Sequence, residues 1–490
     1  MGRKVLFLLA IAGCGGMLFD FGGTIIAPAI PYFESLKLFT ADEISRLTAA
    51  VVLTGAVAGL FAGPLAEKFG RKPILLLAAA LAALACFPIC LCGGSFGLFY
   101  LGRALQGVAA GLLGVVVPMY LAESLPPSDR GKGAGVFQFM DTVGILFCSL
   151  VGVAVVKFVG AADSAEVTAA AKHVAWQTVF WSSAVPAVFF FLGVLGLDES
   201  PVWRQRKLEG AHDVQAVTSS KPETLLQRKY IHPFILAVLV LACNQTTGIN
   251  SIQYYALKMF QDAGLSNAAA NVGFTAFTAT MLVMTAVACA YVDRKGRTFL
   301  LKLGTAGIVV AHLAAAGVFL AINAGALAKG PLAGWLVVGA VLVYIAAFSI
   351  GPGVVVWLAL SELMPDRIRA NGMAIAMFIN MMVAYFIADR MLVLVEKFGY
   401  APVLIGFAVA TGVHFVIAAF FLPETKGRTL AEIEAFFSRG YPVVDHREFL
   451  DQPGMRATGQ FAHKGVAWHS SDKGMAEMAR RFVAALGLDK

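Results

Sequence analysis

Charge is what this sequence has least of. Asp, Glu, Lys and Arg make up 14% of its 490 residues, where a soluble domain carries about 25%. A chain this poor in charge cannot cover itself with solvated groups, so most of its surface must face something other than water. Catalytic signatures are missing too. There is no P-loop and no HExxH or paired CxxC metal spacing. Neither an enzyme, nor an ATP-driven pump, nor a bound metal or cofactor is therefore expected. The seven cysteines (Cys14, Cys86, Cys90, Cys92, Cys148, Cys243 and Cys289) all fall in apolar stretches without a convincing loop pair, and read as small apolar filler.

Apolar runs fill the space that charge leaves. Hydrophobic residues reach 59%, with a mean hydropathy of +0.76, and stretches of about 20 residues recur along most of the chain, the length that crosses a bilayer. They predict twelve helices, near 5–32, 45–66, 73–93, 97–122, 133–158, 175–197, 231–260, 268–292, 298–323, 332–361, 370–396 and 401–421. The first carries Asp20 and no small-residue cleavage site, so it reads as a span and not a removable signal. Basic residues collect in alternate loops, as in Lys68, Arg71 and Lys72 or Arg294, Lys295 and Arg297. That asymmetry explains the net charge of +8 as positive-inside topology and not as nucleic-acid binding, and it places both termini in the cytoplasm. The predicted organisation is a six-helix half over 1–197, a polar linker over 198–230, a second half over 231–422 and a polar tail over 423–490. The stretch "MAEMARRFVAALGL" in that tail has helical periodicity, suited to the membrane surface or to folding back on the inner loops.

Three loop motifs occur twice, in one order, about half the chain apart. "GPLAEKFGRKPILLL" follows the second helix and "AYVDRKGRTFLLKLG" the eighth. "ESLPPSDRGKGAG" follows the fourth and "SELMPDRIRANGMA" the tenth, while "LDESPVWRQRK" and "LPETKGRTLAE" follow the sixth and twelfth. Two related halves with a substrate site between them near the midplane are a known transporter plan. In the loops, Glu67, Arg71, Glu123, Arg130 and Glu199 of one half answer to Asp293, Arg297, Glu362, Arg369, Glu424 and Arg428 of the other. Acids and arginines at neighbouring helix ends can pair and cap termini, holding one conformation and breaking in another.

These motifs, with "GRALQGVAAGLLGVVVPMYLAE" and "NQTTGINSIQYY", resemble the sugar porter family of the major facilitator superfamily over residues 15–430. The resemblance implies an all-α membrane protein of twelve spans in two pseudo-symmetric halves, which moves a monosaccharide by alternating access. Its sugar-binding positions fall on Gln138, Asn244, Gln245, Asn250, Trp357 and Asn380, and its paired outer-gate aromatics on Tyr254 and Tyr255. Gly351-Pro352 stands two residues from its usual place, and Ile145, Met381 and Ala384 replace polar or aromatic groups. A sugar presents many hydroxyls and one apolar face, so amides beside an aromatic platform suit it independently of the resemblance. Asp141, one turn beyond Gln138, is a candidate to compensate for the lost groups, or else to pair with a basic residue.

Asp20 stands alone in an apolar run from Val5 to Phe33. A charge at mid-membrane costs at least about 2.5 kcal/mol and usually marks function. Proton-coupled members of the family pair an acid of the first helix with an arginine of the fourth, which here is Arg103; the ungapped register puts Gly22 at the acid position and Asp20 two residues earlier. Asp20 is thus either the proton site, a packing acid in a facilitative uniporter, or part of a sodium site. Asp389 and Arg390 read as residues at the outer helix end, and His312 and His414 as satisfied core residues. Expected partners are a sugar, a proton and the lipid bilayer, for a monomer in a cell membrane of bacterial type. A membrane sugar sensor on the same scaffold is the alternative from another class.

Overall fold

The twelve expected spans are present in the computed structural model, which describes residues 3–125, 130–209, 228–364 and 369–426, together with Ile433 and Phe437. They are Val5–Thr24, Ala41–Phe69, Arg71–Cys90, Phe96–Ser124, Val136–Phe158 and Ala169–Leu195 in the first half. Ile231–Asp262, Asn267–Val292, Arg297–Asn323, Pro331–Leu363, Gly372–Phe398 and Tyr400–Phe420 form the second. Among the described residues there is no strand. Caps set several starts. Thr40 and Glu43 form a capping box ahead of the second span, with the Thr40 amide donating to Glu43 at 2.8 Å.

Four spans are not continuous helices, and each interruption has a local cause. The third and sixth break near Ala85 and Ser182 because Pro88 and Pro186 withhold an N–H from the carbonyl four residues back. Pro352 does the same in the tenth. The seventh turns at Gly248, whose φ of +81° suits glycine. The first helix was expected to run to residue 32, but it ends at Thr24 and a separate short helix, Ile30–Leu36, follows a turn. Pro28 and Pro31 lie in that stretch, and a residue preceding proline is steered away from helical backbone.

Packing differs at the two ends of the bundle. At the end opposite the basic loops, one large apolar cluster takes in both halves: Phe21, Ile26, Phe33, Leu47 and Ile145 from the first, Tyr254, Phe260, Phe277, Tyr344 and Met391 from the second. Cross-half polar contacts lie there too. Lys258 meets Glu34 at 2.6 Å, Asp163 accepts from the Asn267 amide at 2.7 Å, and Ser149 and Thr278 hydroxyls sit 2.9 Å apart. At the basic end the apolar clusters are separate, one made only of residues from Leu9 to Leu197 and the other only of residues from Ala237 to Phe437. Ile433 and Phe437 pack into the latter, so part of the tail docks on the second half.

The repeated loops fold alike. Arg71 is fully buried; its guanidinium donates to Glu123 at 2.9 and 2.7 Å and to Glu67 at 2.5 Å. Arg297 donates to Glu362 at 2.9 Å. Glu199 caps the third span by accepting from the Arg71 and Lys72 amides at 2.9 and 3.1 Å. Glu424 caps the ninth through Arg297 and Thr298 at 2.9 and 3.0 Å. Gly70 and Gly296, with φ of +101° and +90°, leave the space that these carboxylates fill. All these contacts are internal to one half. The side chains of Arg130, Asp293 and Arg369, and all of Arg428, lie outside the described residues. A double-mutant cycle on Arg71→Met and Glu123→Gln, read as unfolding free energy in detergent, is expected to show coupling of about 1–3 kcal/mol. Additive effects would show that the clamp contributes nothing.

Candidate functional site

The break in the seventh span exposes a backbone carbonyl that lipid cannot satisfy. The Thr247 carbonyl instead accepts from His312 Nε2 at 2.9 Å and from the Tyr344 hydroxyl at 3.2 Å. His312 packs at a tilt against Tyr344 and Phe407, with centroids 4.8 and 5.7 Å away. His312 is therefore satisfied, as expected. His414 is not: it is fully buried, and neither ring nitrogen has a partner among the described residues.

Three of the sugar-site candidates flank this break. Asn244 and Gln245 close its first helix and Asn250 opens the second, with Asn250 Nδ2 donating to Gln245 Oε1 at 3.1 Å. Asn244 Oδ1 is buried without a partner. The tenth and eleventh spans pack on the same first helix, and they carry Trp357 and Asn380. Asn380 is fully buried with neither amide atom paired, an uncommon condition that costs about 1–3 kcal/mol per group unless a ligand relieves it. Trp357 is half-buried against the second half's cluster at the basic end. Gln138 is half-buried and donates at 3.4 Å to Asp141. The residues that depart from the resemblance have another use: Ile145 and Ala384 are buried in the apolar cluster that joins the halves, and Met381 packs against it.

Tyr254 and Tyr255 lie in that joined cluster, 3% and 1% exposed. Tyr254 places its hydroxyl against Gly23, and its neighbour Gln253 donates to Thr24 at 2.5 Å, crossing from second half to first. The Tyr255 hydroxyl donates to the Ala388 carbonyl at 3.4 Å.

The expected pairing of Asp20 with Arg103 is not formed. Arg103 is fully buried, but its guanidinium donates to the carbonyls of Gly22, Gly23 at 3.2 Å and Leu47 at 3.1 Å, and to Gln106 Oε1 at 2.7 Å. The reason is the early end of the first helix. Its last carbonyls have no helical partner, and a buried guanidinium with a planar fork satisfies two of them at once. Gly22, at the position where the resemblance expects an acid, thus supplies its carbonyl instead. Asp20 is half-buried and lies beside Gln253 and Asp141. Sequence reasoning missed Gln253, although it sits on the same helix as Tyr254, as it missed the two donors on Thr247. Asp389 and Arg390, whose pairing the sequence left open, form an ion pair at 3.1 Å on a largely exposed Arg390.

The family model for the sugar (and other) transporter family matches residues 12–437. The chain belongs to that family. Plastidic glucose transporter 4 of Arabidopsis thaliana is 29% identical, covering 89% of this chain and 81% of the relative. The glucose transporter GlcP of Staphylococcus epidermidis is 27% identical, covering 87% and 96%. A crystal structure of a D-xylose–proton symporter superposes with a TM-score of 0.72 at 24% identity, covering 87% of this chain and 99% of that one. The fold is that of the major facilitator superfamily, and the protein is a multi-pass membrane transporter, not an enzyme.

Arg103 should be irreplaceable for stability even by another cation. Arg103→Lys keeps the charge but loses the fork, and is expected to cost about 3 kcal/mol or more in detergent unfolding, since at least two carbonyls lose their donor. Wild-type stability in that variant would remove the assigned role.

Proposed function

We propose that this transporter carries a monosaccharide, hexose or pentose, across a cell membrane by alternating access between its two halves. The observation that carries the reading is the set of amides around the break of the seventh span: Asn244 and Asn380, buried with unpaired amide atoms, and Gln245 and Asn250, bonded to each other, with Gln138 from the first half. Sugar hydroxyls both donate and accept, which is what unpaired amides require. Trp357 is the platform for the apolar face. The related glucose transporters support the substrate class.

The asymmetry of packing supplies the moving parts. The basic end faces the cytoplasm by the positive-inside rule, so the halves meet on the outer side and part on the inner one. Tyr254 and Tyr255 are then the closed outer gate. The clamps around Arg71 and Arg297 hold each half's inner end as a unit while the halves rock. One chain suffices, and the cell is bacterial.

Coupling to protons runs through Asp20, a reading supported by the fold shared with a D-xylose–proton symporter. A facilitative uniporter is the second reading, favoured by one observation: Arg103 is committed to backbone carbonyls and not to the acid.

Uptake of radiolabelled D-glucose and D-xylose into proteoliposomes tests the substrate class. Gln245→Ala removes a double-function amide at the site and is expected to lower uptake at least about tenfold, the loss of one hydrogen bond of about 1.4 kcal/mol or more. No movement of hexose or pentose by the wild type, or undiminished uptake by Gln245→Ala, would overturn the reading.

A further inference from the structure

One buried acid has no role in the reading above. Asp141 of the fifth span is 5% exposed; its Oδ1 has no hydrogen-bond partner among the described residues. From the described side chains its Oδ2 receives the long 3.4 Å contact of Gln138 Nε2. A lone ionised carboxylate away from water is among the most costly groups a protein can bury, so something must stand beside it.

The packing of the first and fifth spans shows what does. Gly16 lies against the Phe137 carbonyl and Gly144 against the Met17 carbonyl, each so close that a Cβ would not fit. These backbone contacts bracket the turn that carries Asp141 and press it onto the first helix. Its carboxyl comes to rest against the Asp20 backbone and within electrostatic reach of the Asp20 carboxyl. Asp20 in turn abuts Gln253 of the seventh span. The other ionisable groups facing this region are Arg103 of the fourth span, Cys148 of the fifth, and Tyr254 and Tyr255 of the seventh. Arg103 is the cation among them, and its N–H groups are held by the Gly22, Gly23 and Leu47 carbonyls and by Gln106.

We propose that Asp20 and Asp141 form a carboxyl pair that holds one proton between the first and fifth spans, with Gln138 linking that proton to the sugar. The inference rests on the sugar-transport reading and gives Asp20 a second acid as its partner within it. Two adjacent carboxylates repel in a dry site. A single proton, taken from water at the open end, converts repulsion into an O–H···O⁻ bond between them. Gln138 makes the connection. Its amide donates to Asp141 when the sugar is absent; a sugar hydroxyl that takes this donor leaves Asp141 poorer by one hydrogen bond, and protonation restores it. Sugar then promotes proton binding, and by linkage the proton promotes sugar binding to the same extent. Gln253 and Tyr254 bring the second half onto the same spot, so closure of the outer side senses the pair's charge.

Two measurements test this, one of them independent of sugar. Infrared pH titration of the purified protein, in sodium-free buffer and without sugar, is expected to show one protonated carboxyl C=O band that is lost or displaced in both Asp20→Asn and Asp141→Asn. A band indifferent to Asp141→Asn, or one displaced by added sodium, overturns the proposal, the latter in favour of a bound cation. In proteoliposomes, alkalinisation per sugar transported is expected to fall at least about tenfold in Asp141→Asn; an unchanged ratio overturns it as well. If the wild type moves no monosaccharide yet the infrared response is as expected, the sugar reading fails and the pair stands. If sugar moves and the band ignores Asp141→Asn, the pair fails alone.

Discussion

A bilayer interior offers no hydrogen bonds, so every point where a span stops being helical must be satisfied from inside the protein. Much of the described structure follows from that constraint. The first helix ends at Thr24, and Arg103 is drawn in to hold the carbonyls of Gly22 and Gly23. The seventh breaks at Gly248, and His312 and Tyr344 converge on Thr247. Both breaks come at the level where the halves meet, each beside the polar side chains that make a site. Breaking the helix and building the proposed site are one act: unwinding turns a chain of self-satisfied backbone groups into fixed dipoles beside Asn244, Gln245 and Asn250. The donors that stabilise the breaks keep those dipoles in place.

A second consequence concerns motion. In lipid there is little hydrophobic reason for helices to associate, so close backbone packing and buried hydrogen bonds do the work. Glycine contacts such as Gly16 with Phe137 and Gly144 with Met17 make the first half rigid. Its buried clamp of Arg71 with Glu67 and Glu123, and the matching clamp of Arg297 with Glu362, do the same for the loop ends. Between halves the polar ties among the described residues sit at one end: Lys258 with Glu34, Asp163 with Asn267, Ser149 with Thr278 and Gln253 with Thr24. Rigid units joined by a limited set of contacts form a two-state element that a ligand can bias, provided it interacts differently with the two arrangements.

The architecture was legible because its signals are long-range and redundant. Hydropathy marks twelve spans, and three repeated motifs mark the halves; the same motifs named Arg71, Arg297, Glu123 and Glu362 as groups able to pair at helix ends without saying which acid takes which arginine. The site was legible in part. "NQTTGIN" places three amides on one helix, but nothing in a one-dimensional pattern says that the helix breaks between them or who holds the freed carbonyl. His312 and Tyr344 come from two other spans, 65 and 97 residues away from Thr247. The Asp20–Arg103 expectation failed for the same reason. It assumed a continuous first helix, whereas Pro28 and Pro31 end that helix early and create carbonyls that compete for the guanidinium. A substitution such as Ile145 looked like a lost sugar contact and proves to be part of the apolar seal between the halves.

The fate of Arg103 determines what kind of coupling chemistry the protein can have. An acid paired with an arginine is held ionised, and a proton must compete against a full positive charge. With the guanidinium spent on backbone carbonyls, Asp20 meets the opposite situation: its neighbour is a second carboxyl, Asp141, and neutral amides serve the two acids, Gln253 beside Asp20 and Gln138 donating to Asp141. Protonation then relieves repulsion rather than breaking an attraction. Because Gln138 of the proposed site touches Asp141, a sugar that takes its amide donor leaves the acid in need of a proton, and the two ligands favour each other. The two-residue displacement of the acid along the first helix is therefore not a defect in a familiar pair. It moves the carboxyl from the arginine's side of the helix to the side packed against the fifth span, where a different partner is waiting.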